Sequence, residues 1–196
     1  MSVTAIFGGT FNPLHIGHYR ILEALQNDSD VDKIWIMPDK IPPHKECDFL
    51  ADDETRIKMC EIAAKDFSKA EVCLIEFERE GKSYTFDTLT RLKSLYPTED
   101  FLLVFGGDML ISFDRWYNFK EIMKMAQFIA FRREDTDNGL FDSAVLKLSK
   151  MGMKIKVMSE FIPTVSSTEI RENFENNSDL LPEKIFEFLQ KEGVYA

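Results

Sequence analysis

The chain has 196 residues, 44% hydrophobic and 30% charged, with 17 Phe, which excludes a disordered segment and predicts one substantial core. A net charge of −10 excludes long nucleic acid as the expected partner but leaves room for small anions held locally by backbone N–H groups and a few cations. Cys47, Cys60 and Cys73 form no C-x-x-C pair and read as free thiols, MSVTAIF lacks a basic lead, and no run reaches membrane-spanning length, so a cytoplasmic setting with no membrane partner is expected.

Short β-rich runs alternate with helical patterns. Val3–Phe7 reads as a buried strand, Leu14–Gln26 as a helix, and Lys33–Met37 as a second strand running into a segment with Pro38, Pro42 and Pro43. Asp52–Lys65 repeats apolar residues at helical spacing, at Ile57, Cys60, Ile62 and Ala64. Val72–Phe77 reads as a strand and Thr85–Tyr96 as a helix that stops before Pro97. Phe101–Phe105 is a strand leading into Gly106-Gly107. A helix at Phe119–Met125, a strand at Phe128–Phe131 and a polar loop from Glu134 to Gly139 follow. A helix at Phe141–Lys150, a strand at Lys154–Val157 and helices at Ser167–Glu175 and Pro182–Lys191 close the chain.

This alternation predicts an α/β fold, a doubly wound parallel sheet with helices on both faces, spanning 1–196 as one domain. Ligands of such sheets sit beyond the carboxyl ends of the strands. The turns after Phe7, Met37, Phe77, Phe105 and Phe131 are therefore expected to share one functional edge.

The first of these turns is unusual. Gly8-Gly9 ends the first strand and lets backbone approach a ligand, and the following helix start offers N–H groups and a dipole that suit phosphate. Thr10 and Asn12 add polar donors, and Pro13 suits the entry to a helix. Two of the three histidines, His15 and His18, stand three apart with Gly17 between them. A metal site would need further ligands. His44 exists, but Cys and carboxylates at suitable spacing do not, so no metal ligands are assigned and direct anion contact is favoured. Near the other end, VSSTEIR (Val165–Arg171) offers hydroxyls that can cap a helix, or hold a phosphate tail together with Arg171. KLSKM (Lys147–Met151) is read as the end of an ordinary helix capped by Asp142, with Val145 and Leu148 on its apolar face, and ended by Gly152.

On these residues GGTFNPLHIGH resembles the H-x-G-H signature of the nucleotidyltransferase superfamily, and VSSTEIR resembles its ISST-x-I-R motif. FGGDMLISFDRW, with Asp108 and Trp116, and SYTFDTL (Ser83–Leu89) resemble blocks of the nicotinate-nucleotide adenylyltransferases, as do PPHK and the closing LLPEKIFEFLQKEGVYA. The resemblance implies a Rossmann-like fold and adenylyl transfer from ATP to nicotinate mononucleotide in NAD biosynthesis, with Mg²⁺ accompanying ATP. It implies His18, His15 and Lys45 as catalytic groups. It implies ATP contacts from Gly8, Gly9, Thr10, Phe11, His15, His18, Gly106, Asp108, Arg132, Ser166, Ser167, Thr168 and Arg171. The mononucleotide would meet Asn12, His44, Lys45, Tyr84, Thr85, Trp116 and Tyr117. FRRE (Phe131–Glu134) departs from the family's Arg-Pro-Gly at Arg133 and Glu134. Nicotinamide mononucleotide as substrate, a non-catalytic nucleotide sensor, and homo-oligomerisation stay open.

Overall fold

The computed structural model describes residues 2–41 and 49–195, so the expected roles of His44 and Lys45, and the Cys47 thiol, lie outside the described residues. Six strands form one parallel sheet: β1 (Val3–Gly9), β2 (Lys33–Pro38), β3 (Ala70–Val72), β4 (Asp100–Gly106), β5 (Gln127–Arg133) and β6 (Ile155–Ile162). Their order across the sheet is β3-β2-β1-β4-β5-β6. This is the doubly wound arrangement expected, and it opens a crevice where the order reverses, between β1 and β4.

Residue alternation explains why both faces are covered. Ala5 and Phe7, Ile34 and Ile36, Leu102 and Val104, and Ile129 and Phe131 point to one face and join one buried cluster. Ile6, Trp35 with Met37, Leu103 with Phe105, and Phe128 with Ala130 point to the other and join a second cluster. Helices α1 (Ile16–Asn27), α2 (Asp53–Ala64), α7 (Ser167–Glu172) and α8 (Glu183–Glu192) cover the first face. Helices α3 (Thr85–Leu95), α4 (Gly107–Ser112), α5 (Phe119–Met125) and α6 (Asn138–Lys150) cover the second. None of the helices among the described residues is long and apolar enough to cross a membrane.

Several boundaries differ from expectation. The third strand is Ala70–Val72, and the alternating run up to Phe77 instead curls into a 3₁₀ turn, Ile75–Glu78, that buries Ile75 and Glu76. β6 runs to Ile162, further than Val157, because it is an edge strand whose polar Lys156, Ser159 and Glu160 hide the pattern. α6 begins at Asn138, where the Asp137 side chain accepts from the Leu140 N–H at 2.9 Å, while Asp142 lies inside the helix and is not its cap. Gly152, at φ +96, does end that helix.

The buried face of α2 is Thr55, Arg56, Met59, Cys60 and Ala63; of the expected stripe Cys60 is buried, while Ile57, Ile62 and Ala64 are only partly so. The helix is turned because Arg56, wholly buried, occupies a core position. Its guanidinium donates to the carbonyls of Asp39 (2.6 Å), Thr10 (3.2 Å) and Ala51 (3.2 Å) and pairs with Asp53 (2.5 Å) and Asp39 (3.4 Å). One side chain thus fixes the ends of β1 and β2 against the start of α2. Arg56→Met removes all of these bonds at once from a wholly buried position, and is expected to cost about 3 kcal/mol in a urea-unfolding titration. A loss below about 0.5 kcal/mol, typical of exposed positions, contradicts this anchoring.

Candidate active site

The site grows from the turn after β1. Phe11 takes a left-handed conformation, φ 49, with its ring nearly wholly buried, and an added Cβ at Gly9 would lie 2.9 Å from that ring. His15 is extended and caps α1, which begins at Ile16 rather than Leu14. An added Cβ at Gly17 would stand 3.1 Å from the His15 ring, which explains the small residue between the histidines. The two imidazoles stack, with centroids 3.8 Å apart and planes inclined by 24°. The His18 ring also packs edge-on against Phe11 at 5.1 Å.

The His15 backbone N–H donates to His18 Nδ1 at 3.1 Å. An Nδ1 that accepts carries no proton, so neutral His18 holds its proton on Nε2 and acts there as a donor. Backbone geometry thereby selects the tautomer that carries its proton on Nε2.

The two end motifs meet. The Ser167 hydroxyl donates to the Pro13 carbonyl (3.3 Å), and Arg171 donates to the Asn12 carbonyl (2.8 Å) and the Thr168 hydroxyl (3.1 Å). Ser166 caps α7, accepting from the Glu169 N–H at 3.4 Å. The Asn12 side chain is occupied by the chain itself. Its nitrogen donates to the Phe49 carbonyl (2.8 Å), and its oxygen accepts from the Ala51 N–H (3.1 Å) and the Tyr195 hydroxyl (2.6 Å). Burial first, only partly offset by Arg171 and Arg56, raises the Tyr195 phenol above its ordinary range, which keeps it a neutral donor. Thr10 donates to the Asp39 carboxylate at 3.1 Å, and the Gly9 carbonyl accepts from the Asp39 N–H at 3.0 Å.

Across the crevice, Gly106 ends β4 and Asp108 stands in the first turn of α4. An added Cβ at Gly107 would lie 2.7 Å from the Thr136 hydroxyl, so a larger residue there would have to displace the Thr136 side chain of the loop after β5. That loop departs from expectation. Strand alternation turns Arg132 toward α6, where it stacks 4.4 Å from the Phe141 ring and pairs with Asp142 at 2.5 Å. Arg133 faces the crevice instead, within 3.4 Å of both the Asp108 carboxylate and the Val165 carbonyl. Sequence reasoning missed Arg133. The period of two from Ile129 through Phe131 would have placed it on the same face as VSSTEIR.

On the other face, Trp116 is half-buried against Phe105 (5.2 Å) and Phe113 (5.6 Å). Tyr84 lies 5.3 Å from the exposed Tyr117, and Thr85 opens α3. Burial pushes the Cys60 and Cys73 thiols upward, so neither is a ready nucleophile. Lys147 of KLSKM pairs with Asp114 at 2.5 Å on α6, away from this edge.

A crevice with phosphate-type turns on two strands defines a nucleotide-binding α/β protein, and a family profile described as cytidylyltransferase-like matches residues 6–173. The chain belongs to that family and, within it, to the nicotinate-nucleotide adenylyltransferases. A nicotinate-nucleotide adenylyltransferase of Bacillus subtilis is 33% identical over 202 residues, covering 100% of this chain and 99% of the relative. A "Probable nicotinate-nucleotide adenylyltransferase" of Fusobacterium nucleatum subsp. nucleatum is 38% identical over 194 residues, covering 97% and 98%. The fold matches a solved Plasmodium falciparum nicotinic acid mononucleotide adenylyltransferase complexed with NaAD, with TM-score 0.80 and 20% identity, over 100% of this chain and 98% of that one.

Gly17→Ala tests the histidine geometry. Alanine favours a helix by up to about 1 kcal/mol, so the melting temperature is expected to hold or rise. Displacement of the His15 ring is expected to cut kcat by about tenfold. Unchanged kcat in the folded variant contradicts the tight packing.

Proposed function

We propose that the chain transfers the adenylyl group of ATP to nicotinate mononucleotide, releasing pyrophosphate and forming nicotinate adenine dinucleotide. One observation carries this reading: Ser167 and Arg171 are bound to the Pro13 and Asn12 carbonyls, in the turn that leads into His15 and His18, at the reversal between β1 and β4. The phosphate-type groups lie on the α1 and α7 face, and Thr85, Trp116 and Tyr117 on the α3 and α5 face. The two substrates therefore approach one sheet edge from opposite faces.

The attacking group is a phosphate oxygen of the mononucleotide, already ionised at neutral pH. It bonds to the α-phosphorus of ATP as the bond to the pyrophosphate oxygen breaks. Neither event demands a general base. The protein's task is to align two anions and neutralise the charge that develops. His18, through Nε2–H, and His15 supply donors to the phosphates, while Ser166, Ser167, Thr168 and Arg171 hold the outer phosphates. Gly8, Gly9, Thr10 and Phe11 shape the turn, with Gly106 and Asp108 at the ribose. Arg133 replaces Arg132 in this proposal, because it faces the crevice. Trp116 offers a ring face to the pyridine, and backbone N–H groups near Thr85 and Tyr117 receive the carboxylate.

A divalent cation, Mg²⁺ in this proposal, would supply charge neutralisation for the triphosphate. No side chain is assigned to hold it, and among the described residues no group of three or more His, Cys, Asp or Glu is placed to do so.

Pyrophosphate release with ATP and Mg²⁺ tests the reading. Nicotinate mononucleotide is expected to be turned over in preference to nicotinamide mononucleotide and phosphopantetheine. Preference for either of the latter overturns it, and no turnover of any supports a sensor. His18→Ala is expected to lower kcat by about two orders of magnitude or more, and near-normal kcat removes His18 from its role.

A further inference from the structure

Glu76, Ser83 and Thr88 are all buried polar residues of one short stretch, packed around Arg79. The Arg79 guanidinium pairs with Glu76 at 3.0 Å and lies 3.3 Å from the Tyr84 carbonyl and 3.4 Å from that of Lys82. Its other terminal nitrogen stands 3.5 Å from Asp87 in the first turn of α3. Thr88 donates to Glu76. The same stretch is sewn to the end of β2. The Ser83 N–H donates to the Ile41 carbonyl (3.0 Å), the Lys40 N–H to the Ser83 hydroxyl (3.2 Å), and the Lys40 ammonium to the Arg79 carbonyl (3.2 Å).

A buried ion pair contributes little net stability compared with apolar residues of the same volume. What this one supplies is position and charge balance. Two carboxylates, Glu76 and Asp87, stand at the start of α3, where an anionic ligand would otherwise meet repulsion. Arg79, set between the two, offsets one of these charges and holds the carbonyls of Lys82 and Tyr84 that precede Thr85.

We propose that Arg79, clamped by Glu76, is a positioning residue that makes the Tyr84–Thr85 end of α3 receptive to the acid group of the mononucleotide. It thereby contributes to discrimination between acid and amide. The inference rests on the proposed substrate. Arg79 touches no reacting atom; it fixes the Tyr84–Thr85 turn and lowers the negative charge beside it from two to one. Uncompensated carboxylates would penalise a carboxylate ligand far more than a neutral amide of the same shape.

Steady-state kinetics with both mononucleotides tests this. Arg79→Ala is expected to raise the KM for nicotinate mononucleotide by about tenfold, that for nicotinamide mononucleotide by less than about threefold, and that for ATP by less than about twofold. Arg79→Lys keeps the charge and is expected to keep the acid–amide ratio while raising both values modestly. Equal changes for acid and amide, or none, overturn the proposal. If Arg79→Ala does not fold, the half-exposed Asp87 carries the test. Asp87→Asn is expected to lower the KM for the acid but not for the amide, and parallel behaviour of the two overturns it. Wild-type protein that makes no dinucleotide from nicotinate mononucleotide contradicts the function itself. Wild-type turnover with unaltered discrimination in Arg79→Ala contradicts only the role of Arg79.

Discussion

Arg171 reaches 159 positions back along the chain to the Asn12 carbonyl, and Ser167 to the neighbouring Pro13 carbonyl. Those two contacts join the last sheet-edge helix to the first strand-to-helix turn. A parallel sheet whose order reverses between β1 and β4 leaves a crevice, but a crevice alone is only space. The α7 contacts set its width on one face. Arg56 sets the neighbouring edge, since it is bound to the Thr10, Asp39 and Ala51 carbonyls at once. Donors meant for an anion are useful only when their spacing is fixed before the anion arrives.

Within that frame the histidine turn is a packing solution as much as a chemical one. Phe11 fills the space that a side chain at Gly9 would take, and the His15 ring fills that over Gly17. His18 is held between Phe11 and His15 with its Nδ1 engaged by the His15 backbone N–H, which sets its tautomer. The same economy applies on the opposite face, where Trp116 uses Phe105 and Phe113 as a wall.

The alternation of strands and helices, and with it the doubly wound parallel sheet, was readable because burial on two faces imposes period two on the strands and an apolar stripe on the helices. Reading failed where a polar residue sits inside. Arg56 turned α2 away from the expected stripe, and Glu76 lay hidden in a run that looked like a strand. Both are stable only because of carbonyls and partners distant in the chain, which no local pattern displays. Asn12 was read as a ligand group because its type suits one. Its engagement by Phe49, Ala51 and Tyr195 depends on where residues 37 to 183 positions away return. Arg132 and Arg133 are adjacent, and resemblance chose one while the alternation of β5 chose the other for the crevice.

In the proposed reaction one sheet edge holds two anionic substrates, each from its own face. Amide hydrogen exchange measured with and without each ligand tests it most directly. ATP with Mg²⁺ is expected to slow exchange in Phe11–Tyr19 and Ser166–Arg171 together. Nicotinate mononucleotide alone slows Tyr84–Leu89 and the segment around Trp116 and Tyr117. Protection by ATP of the first segment without the second, or of Tyr84–Leu89 in place of both, contradicts it.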